Sequence, residues 1–94
     1  MEDIYFNSLI WKEGNAYVSY CPQFDVSSCG DTVEEARRML KEAVYLFVEV
    51  AQEQGTLQTI LEEAGYQLEL AENDREWQPP RLVATELMSV STEG

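Results

Sequence analysis

The segment from Tyr17 to Phe47 constrains the fold more than any other part of the chain. It begins with alternating, strand-like sequence and turns at Pro22, which lacks a backbone N–H and therefore ends the first strand. A second short strand-like stretch follows, and then the apolar period changes from two to 3.6. This succession predicts antiparallel strands packed beneath one long helix.

The long helix is predicted from a capping box and an apolar stripe. Thr32 is placed to accept from the amide of Glu35, and the Glu35 carboxylate to reach back to Thr32. Gly30 is expected to free the backbone for the turn into the helix, and Gly55 to end the helix. Thr56 is expected to cap a second, shorter helix that ends at Gly65. The stripe comprises Ala36, Leu40, Ala43, Val44, Phe47, Val48 and Ala51.

Strands are predicted where β-branched and aromatic residues alternate. The predicted strands are 4–11, 16–21, 25–29, a short one at 66–70, and a last one at 82–90, with a polar loop at 71–80. We expect Val18 to point at the core. The chain, residues 1–94, is therefore predicted as a single α+β domain of order β-β-β-α-α-β. A three-stranded antiparallel sheet plus one or two further strands would be packed by one long and one short helix.

The charge of the chain favours some partners over others. Eighteen acidic and six basic residues give a formal net charge of −12. Such a surface repels nucleic acid and attracts basic proteins, although acidic residues also serve solubility alone. There is no apolar run of ~20 residues to span a bilayer. The acidic start of the chain differs from a signal peptide, so we expect a cytoplasmic protein.

The sequence offers little catalytic chemistry. It contains no histidine, which removes the commonest general base and Ser-His-Asp mechanisms. Asp25, Asp31, Glu34 and Glu35 are the one acid set considered for a hard cation, and helix capping and a turn explain them more simply. We predict neither enzyme activity nor a metal or cofactor. Cys21 and Cys29 are interpreted as small, buried, reduced residues.

Aromatic residues gather in the first part of the chain, where Lys12 is the only base among them. Proteins that stack nucleotide bases on aromatic residues interleave those residues with positive charge, so the sequence does not predict nucleotide binding here. Trp11 and Trp77 are the tryptophans expected to be exposed, and a role in covering the core is the alternative. The candidate partner-binding residues are Trp11, Tyr20, Pro22, Phe24 and Asp25.

The same stretch resembles the HicB antitoxin domain. The resemblance covers about residues 4–50 and rests on Tyr17-Val18-x-Tyr20-Cys21-Pro22, Asp25-Val26, Gly30-Asp31-Thr32, Glu34-Glu35-Ala36 and Lys41-Glu42-Ala43. It implies a partly degraded RNase H-like fold. It also implies a partner, a small basic HicA toxin that cleaves mRNA with a histidine and is neutralised when HicB covers its active site.

One feature separates this chain from many HicB proteins. After Gly65 no DNA-binding domain is visible, and Arg75 and Arg81 are the only bases, so we expect no direct nucleic-acid binding. The strand predicted at Leu82–Val90 could pair within the chain or across chains, and we expect a dimer or tetramer. The alternatives are an orphan structural or regulatory oligomer that reuses the fold and a metal-dependent RNase H-like nuclease.

Overall fold

A computed structural model describes residues 2–93. Its secondary structure is mixed α+β, as predicted, with two helices and six strands among these residues. The elements are β1 (Glu2–Ile4), β2 (Leu9–Glu13), β3 (Ala16–Cys21), β4 (Val26–Gly30), α1 (Val33–Glu53), α2 (Leu57–Glu63), β5 (Gln67–Ala71) and β6 (Asp74–Gln78).

The strands form two three-stranded sheets. One has the order β2-β3-β4 and is antiparallel throughout. The other has the order β1-β6-β5, in which β1 runs parallel to β6 and β5 runs antiparallel to it. The parallel pair joins the beginning of the chain to a strand that follows both helices, as parallel pairing requires a long connection.

The prediction of one strand over residues 4–11 is wrong, because the chain changes partners there. Ile4 pairs with Trp77 in one sheet, whereas Leu9 pairs with Tyr20 in the other. Asn7 lies between them and is bound to the β3–β4 turn: its amide N–H donates to Gln23 Oε1 over 3.0 Å, and Gln23 Nε2 donates to Asn7 Oδ1 over 2.7 Å. These two hydrogen bonds fix the chain at the point where it passes from one sheet to the other.

β3 occupies the predicted residues, but its buried face is the opposite of the predicted one. Ser19 and Cys21 are fully buried, and Ser19 Oγ donates to the Ala36 carbonyl of α1 over 2.8 Å. Val18 therefore points away from α1. Ala16–Val18–Tyr20 is as apolar as Tyr17–Ser19–Cys21, so alternation alone did not distinguish the two faces.

The start of α1 follows the predicted capping box with one change. The Glu35 amide donates to Thr32 Oγ1 over 3.0 Å. The Glu35 carboxylate accepts from the amide of Asp31 over 3.1 Å, instead of from Thr32. Four stripe residues are buried, namely Ala36, Leu40, Val44 and Ala51, and the other three are half-buried. Gly55 follows the helix with a φ of 72°, as a C-terminal glycine should.

The core lies between α1, α2 and the two sheets. Phe24 stacks within it, with its ring 5.2 Å from that of Phe47 and 5.6 Å from that of Tyr66. The Tyr66 hydroxyl donates to the Tyr5 carbonyl over 2.6 Å, and burial raises the pKa of this phenol, so it remains a donor. Leu57 and Leu61 of α2 close the core.

Several predictions after α1 are wrong. Thr56 precedes α2, but its hydroxyl donates to the Ala51 carbonyl over 3.3 Å and makes no cap bond. The loop predicted at 71–80 contains β6. Trp77 is buried at the centre of β1-β6-β5, which agrees with the alternative of a core-covering role and not with exposure. Its indole N–H has no acceptor among residues 2–93.

The strand predicted at 82–90 is not formed in the described structure. Residues 79–93 belong to no helix or strand and, from Pro80 onward, are exposed. A strand needs a hydrogen-bonding neighbour, and the segment pairs with none among residues 2–93. The third predicted strand is also shifted by one residue, since Asp25 lies in the turn with a φ of 54° and β4 begins at Val26.

Candidate protein-binding face

The sheet β2-β3-β4 has one face covered by α1 and one face that points away from it. Residues directly opposite each other in an antiparallel pair share a face. The register pairs Leu9 with Tyr20, Trp11 with Val18, and Val18 with Cys29. These five residues therefore lie on the face opposite to Ser19 and α1, and we call them the outer face.

Two aromatic side chains at the centre of the outer face touch each other. The rings of Trp11 and Tyr20 lie 6.4 Å apart between centroids at an interplanar angle of 61°, an edge-to-face contact. Trp11 is 43 % exposed and Tyr20 is half-buried. Large, partly exposed rings held against a rigid sheet are the side chains that most often anchor protein interfaces.

Each of these rings also binds a carboxylate. Trp11 Nε1 donates to Glu13 Oε1 over 2.9 Å, and the Tyr20 hydroxyl donates to Asp25 Oδ1 over 2.9 Å. The hydrogen bond to Asp25 raises the pKa of the Tyr20 phenol, so it stays protonated near neutral pH. The outer face thus presents apolar surface bordered by two negative charges.

The structure brings together four of the five candidate partner-binding residues. Trp11, Tyr20 and Asp25 are linked by the contacts above, and Pro22 is exposed in the turn that also holds Asp25. Phe24 is placed elsewhere: it is 8 % exposed and stacked in the core. We therefore leave Phe24 out of the candidate surface.

The single base near these aromatics lies on the other face of the sheet. Lys12 neighbours Trp11 in β2 and so points to the opposite side, where its Nζ lies 5.8 Å from the centroid of the Tyr17 ring. Positive charge therefore does not interrupt the outer face, and its potential is set by Glu13 and Asp25.

The acids considered for a metal do not converge. Asp25 Oδ1 accepts from Tyr20, and Glu35 Oε1 accepts from the Asp31 amide. Within residues 2–93 there is no group of three or more His, Cys, Asp or Glu side chains with the spacing of a metal site. In the same part of the chain, no helix is both long and apolar enough to cross a membrane.

Sequence reasoning missed three members of the outer face, Leu9, Val18 and Cys29. Cys29, interpreted as buried, is exposed, while Cys21 is buried, and burial raises the pKa of its thiol. The two cysteines lie at opposite ends and on opposite faces of the β3–β4 ladder. Val18 belongs to the outer face as well. One residue in the sequence could have indicated which face of β3 is buried, namely Ser19. Its short side chain can reach the backbone of α1 because the helix residue it meets there, Ala36, is small.

Comparisons with known proteins add no relative. No family model matches the chain, and no similar protein was found among the curated proteins or the solved structures.

Proposed function

We propose that this protein is a HicB-like antitoxin that binds a small basic HicA-type mRNA-cleaving toxin and covers the toxin's active site. The observation that carries the proposal is the outer face, with its Trp11–Tyr20 pair and the carboxylates of Glu13 and Asp25. The toxin would meet it in the cytoplasm. The residues that resemble HicB form β3, β4 and the first half of α1, which is the scaffold of this face.

The charge of the molecule supports a basic partner. A formal net charge of −12 on 94 residues raises the encounter rate with a positively charged protein, and this effect weakens as salt increases. Once the proteins meet, Trp11 and Tyr20 would supply the contact that water cannot reach, and Glu13 and Asp25 would pair with basic side chains meant for phosphate.

Binding to the toxin tests the proposal directly. The probe is any small basic protein found to be encoded beside this one, with its catalytic histidine replaced so that it can be produced, and titration calorimetry measures Kd. Trp11→Ala and Tyr20→Ala should each weaken binding by about 10- to 30-fold, the effect typical of interface anchors. Tyr45→Ala is the matched control, because Tyr45 is an exposed aromatic residue on α1 and should leave Kd unchanged.

Two results would contradict the proposal. One is the lack of any small basic neighbour that binds the chain. The other is binding that Tyr45→Ala weakens while Trp11→Ala and Tyr20→Ala do not, which would place the contact on α1. In a cleavage assay with the intact toxin, each variant is added at the same concentration as the unaltered chain. A variant that binds the toxin more weakly should inhibit mRNA cleavage correspondingly less.

A further inference from the structure

The segment Arg81–Glu93, which we call the arm, has the pattern of a strand but pairs with no strand among residues 2–93. Val83, Thr85 and Leu87 alternate with Ala84, Glu86, Met88 and Val90. Val83 is 88 % exposed and Leu87 is 103 % exposed. Such a run of apolar side chains and unpaired backbone groups is unfavourable in water and is a template for pairing with another chain.

The arm leaves the sheet beside β5 and is exposed beyond that point: Arg81 and Leu82 line a surface cavity with Gln67 and Glu69, and residues 83–93 after them are exposed. β6 ends at Gln78, and Pro79-Pro80 follow, which fix their own φ and hold the residues before them in extended conformations. Pro80 lies against Gly65: a Cβ at Gly65 would be 3.0 Å from Pro80 Cγ. A proline pair seated in this way sets the direction of the arm and opposes the reversal needed to reach the free edge of β5.

β5 offers a matching edge. It is the last strand of β1-β6-β5, and all five of its residues are exposed. The β5–β6 hairpin closes with a two-residue turn between Ala71 and Asp74. In such a ladder the N–H and C=O groups of Leu68 and Leu70 point to the free side. Leu70 is 74 % exposed, so this edge carries apolar surface as well as unpaired backbone.

Charge indicates a second copy of the chain as the occupant of this edge. Arg81 and Glu86 are the only charged residues from Arg81 to Val90, so this stretch is neutral on a chain of net charge −12. A basic partner would be attracted to the acidic surface and not to the arm. A second copy of the chain is repelled by the acidic surface of the first, and the neutral arm is the part of it that can approach without this repulsion.

We propose that two copies exchange arms, and that Leu82–Val90 of each adds as an extra strand to the β5 edge of the other. A two-fold axis makes the exchange reciprocal, so that both arms and both β5 edges are used and the assembly closes as a dimer. Nine extended residues reach about 30 Å, more than enough to span the five residues of β5. The exchange is independent of toxin binding, because the outer face belongs to the other sheet.

Complementation between two variants tests the exchange. A chain ending at Pro80 has an edge and no arm. The variant Leu70→Pro keeps the arm and removes an outward N–H from the edge while sparing the bonds to β6. Each variant should be monomeric in sedimentation equilibrium up to about 100 μM. A 1:1 mixture of the two should form a heterodimer, whereas the unaltered chain should dimerise alone.

A side-chain pair provides the control for folding. Leu70→Lys keeps the backbone intact and should weaken the dimer by at least 10-fold, because it places a charge in the apolar contact. Leu46→Lys, the same change at an exposed leucine of α1, should leave the dimer unchanged. Far-UV circular dichroism of each variant verifies that the fold is retained.

The other outcomes overturn the exchange. The proposed exchange is contradicted if the unaltered chain is monomeric at 100 μM, or if the dimer survives deletion of the arm. If deleting the arm abolishes the dimer but Leu70→Pro and Leu70→Lys remain dimeric, the arm binds a surface other than the β5 edge. An arm that is needed for toxin binding and not for self-association assigns it to the toxin. Loss of toxin binding with the exchange intact would count only against the antitoxin role.

Discussion

Gly30 is required by a close approach between β4 and the start of α1, and not by the backbone freedom expected from the sequence. It is the buried last residue of β4. A Cβ at this position would lie 2.6 Å from the amide nitrogen of Ala36 and 2.9 Å from the backbone carbonyl carbon of Glu35. These are backbone atoms of a helix, which cannot move aside as a flexible side chain can.

We therefore predict that Gly30→Ala destabilises the protein by about 1–3 kcal/mol, the usual cost of overpacking a core. Urea unfolding followed by circular dichroism measures the change. Ser27→Ala, at an exposed position of the same strand, is the control and should change the free energy of unfolding by less than about 0.5 kcal/mol. Equal effects of the two substitutions would mean that β4 and α1 do not approach as closely as described.

Other single residues show where sequence reasoning failed and why. Val18 and Ser19 were assigned to the wrong sides of β3 because both faces of the strand are mixed, and the bond from Ser19 to Ala36 is made only once α1 packs on the sheet. Trp77 was expected outside because its neighbours along the chain are polar. Its burial depends on its pairing partners: Leu68 in the preceding strand of the hairpin and Ile4 from the other end of the chain.

At the scale of the element, the two helices differ in how they begin. α1 starts with a side-chain cap, the bond from the Glu35 amide to Thr32 Oγ1. α2 starts at Thr56, whose hydroxyl turns back to the Ala51 carbonyl of α1. Two threonines that look alike in sequence therefore have different roles, since Thr56 follows the end of α1 so closely that its hydroxyl meets the last carbonyls of that helix.

This difference predicts unequal costs for the same substitution. Thr32→Ala should destabilise the protein by about 1 kcal/mol, because it removes an N-cap bond. Thr56→Ala should cost less, about 0.5 kcal/mol, because it removes only the 3.3 Å bond to the Ala51 carbonyl, which still accepts from the Thr56 amide. Thermal unfolding of both variants, side by side with the unaltered chain, gives the comparison. A larger loss for Thr56→Ala would show that the capping roles are reversed.

At the scale of the whole molecule, the acidic charge opposes the fold. Between Lys41 and Arg75 there are eight acidic residues and no basic one. The ion pairs that offset this charge are exposed, as in Arg38–Glu42 and Arg75–Glu2, with N–O distances of 3.5 Å and 3.0 Å. Exposed pairs contribute at most about 1 kcal/mol each, so repulsion among the acids remains largely uncompensated.

Salt should therefore stabilise the protein. Raising NaCl from about 0.01 M to 0.5 M shortens the Debye length from about 30 Å to a few ångströms and screens repulsion between acids on different elements. We expect Tm to rise by several degrees, measured by calorimetry at pH 7 on the chain ending at Pro80, in which self-association does not contribute. A fall in Tm over this range would mean that attractive pairs outweigh the repulsion.

The sequence by itself determined the parts of this protein whose signals are local. The capping box of Thr32 and Glu35, the stripe of α1, the glycine after it and the bounds of β3 all depend on residues within a few positions of one another. The tertiary structure alone decided which face of β3 is buried, that β6 exists and pairs with β1, and that the arm pairs with no strand among residues 2–93. A strand is completed by hydrogen bonds to a distant segment, so its own residues specify the pattern but not the partner.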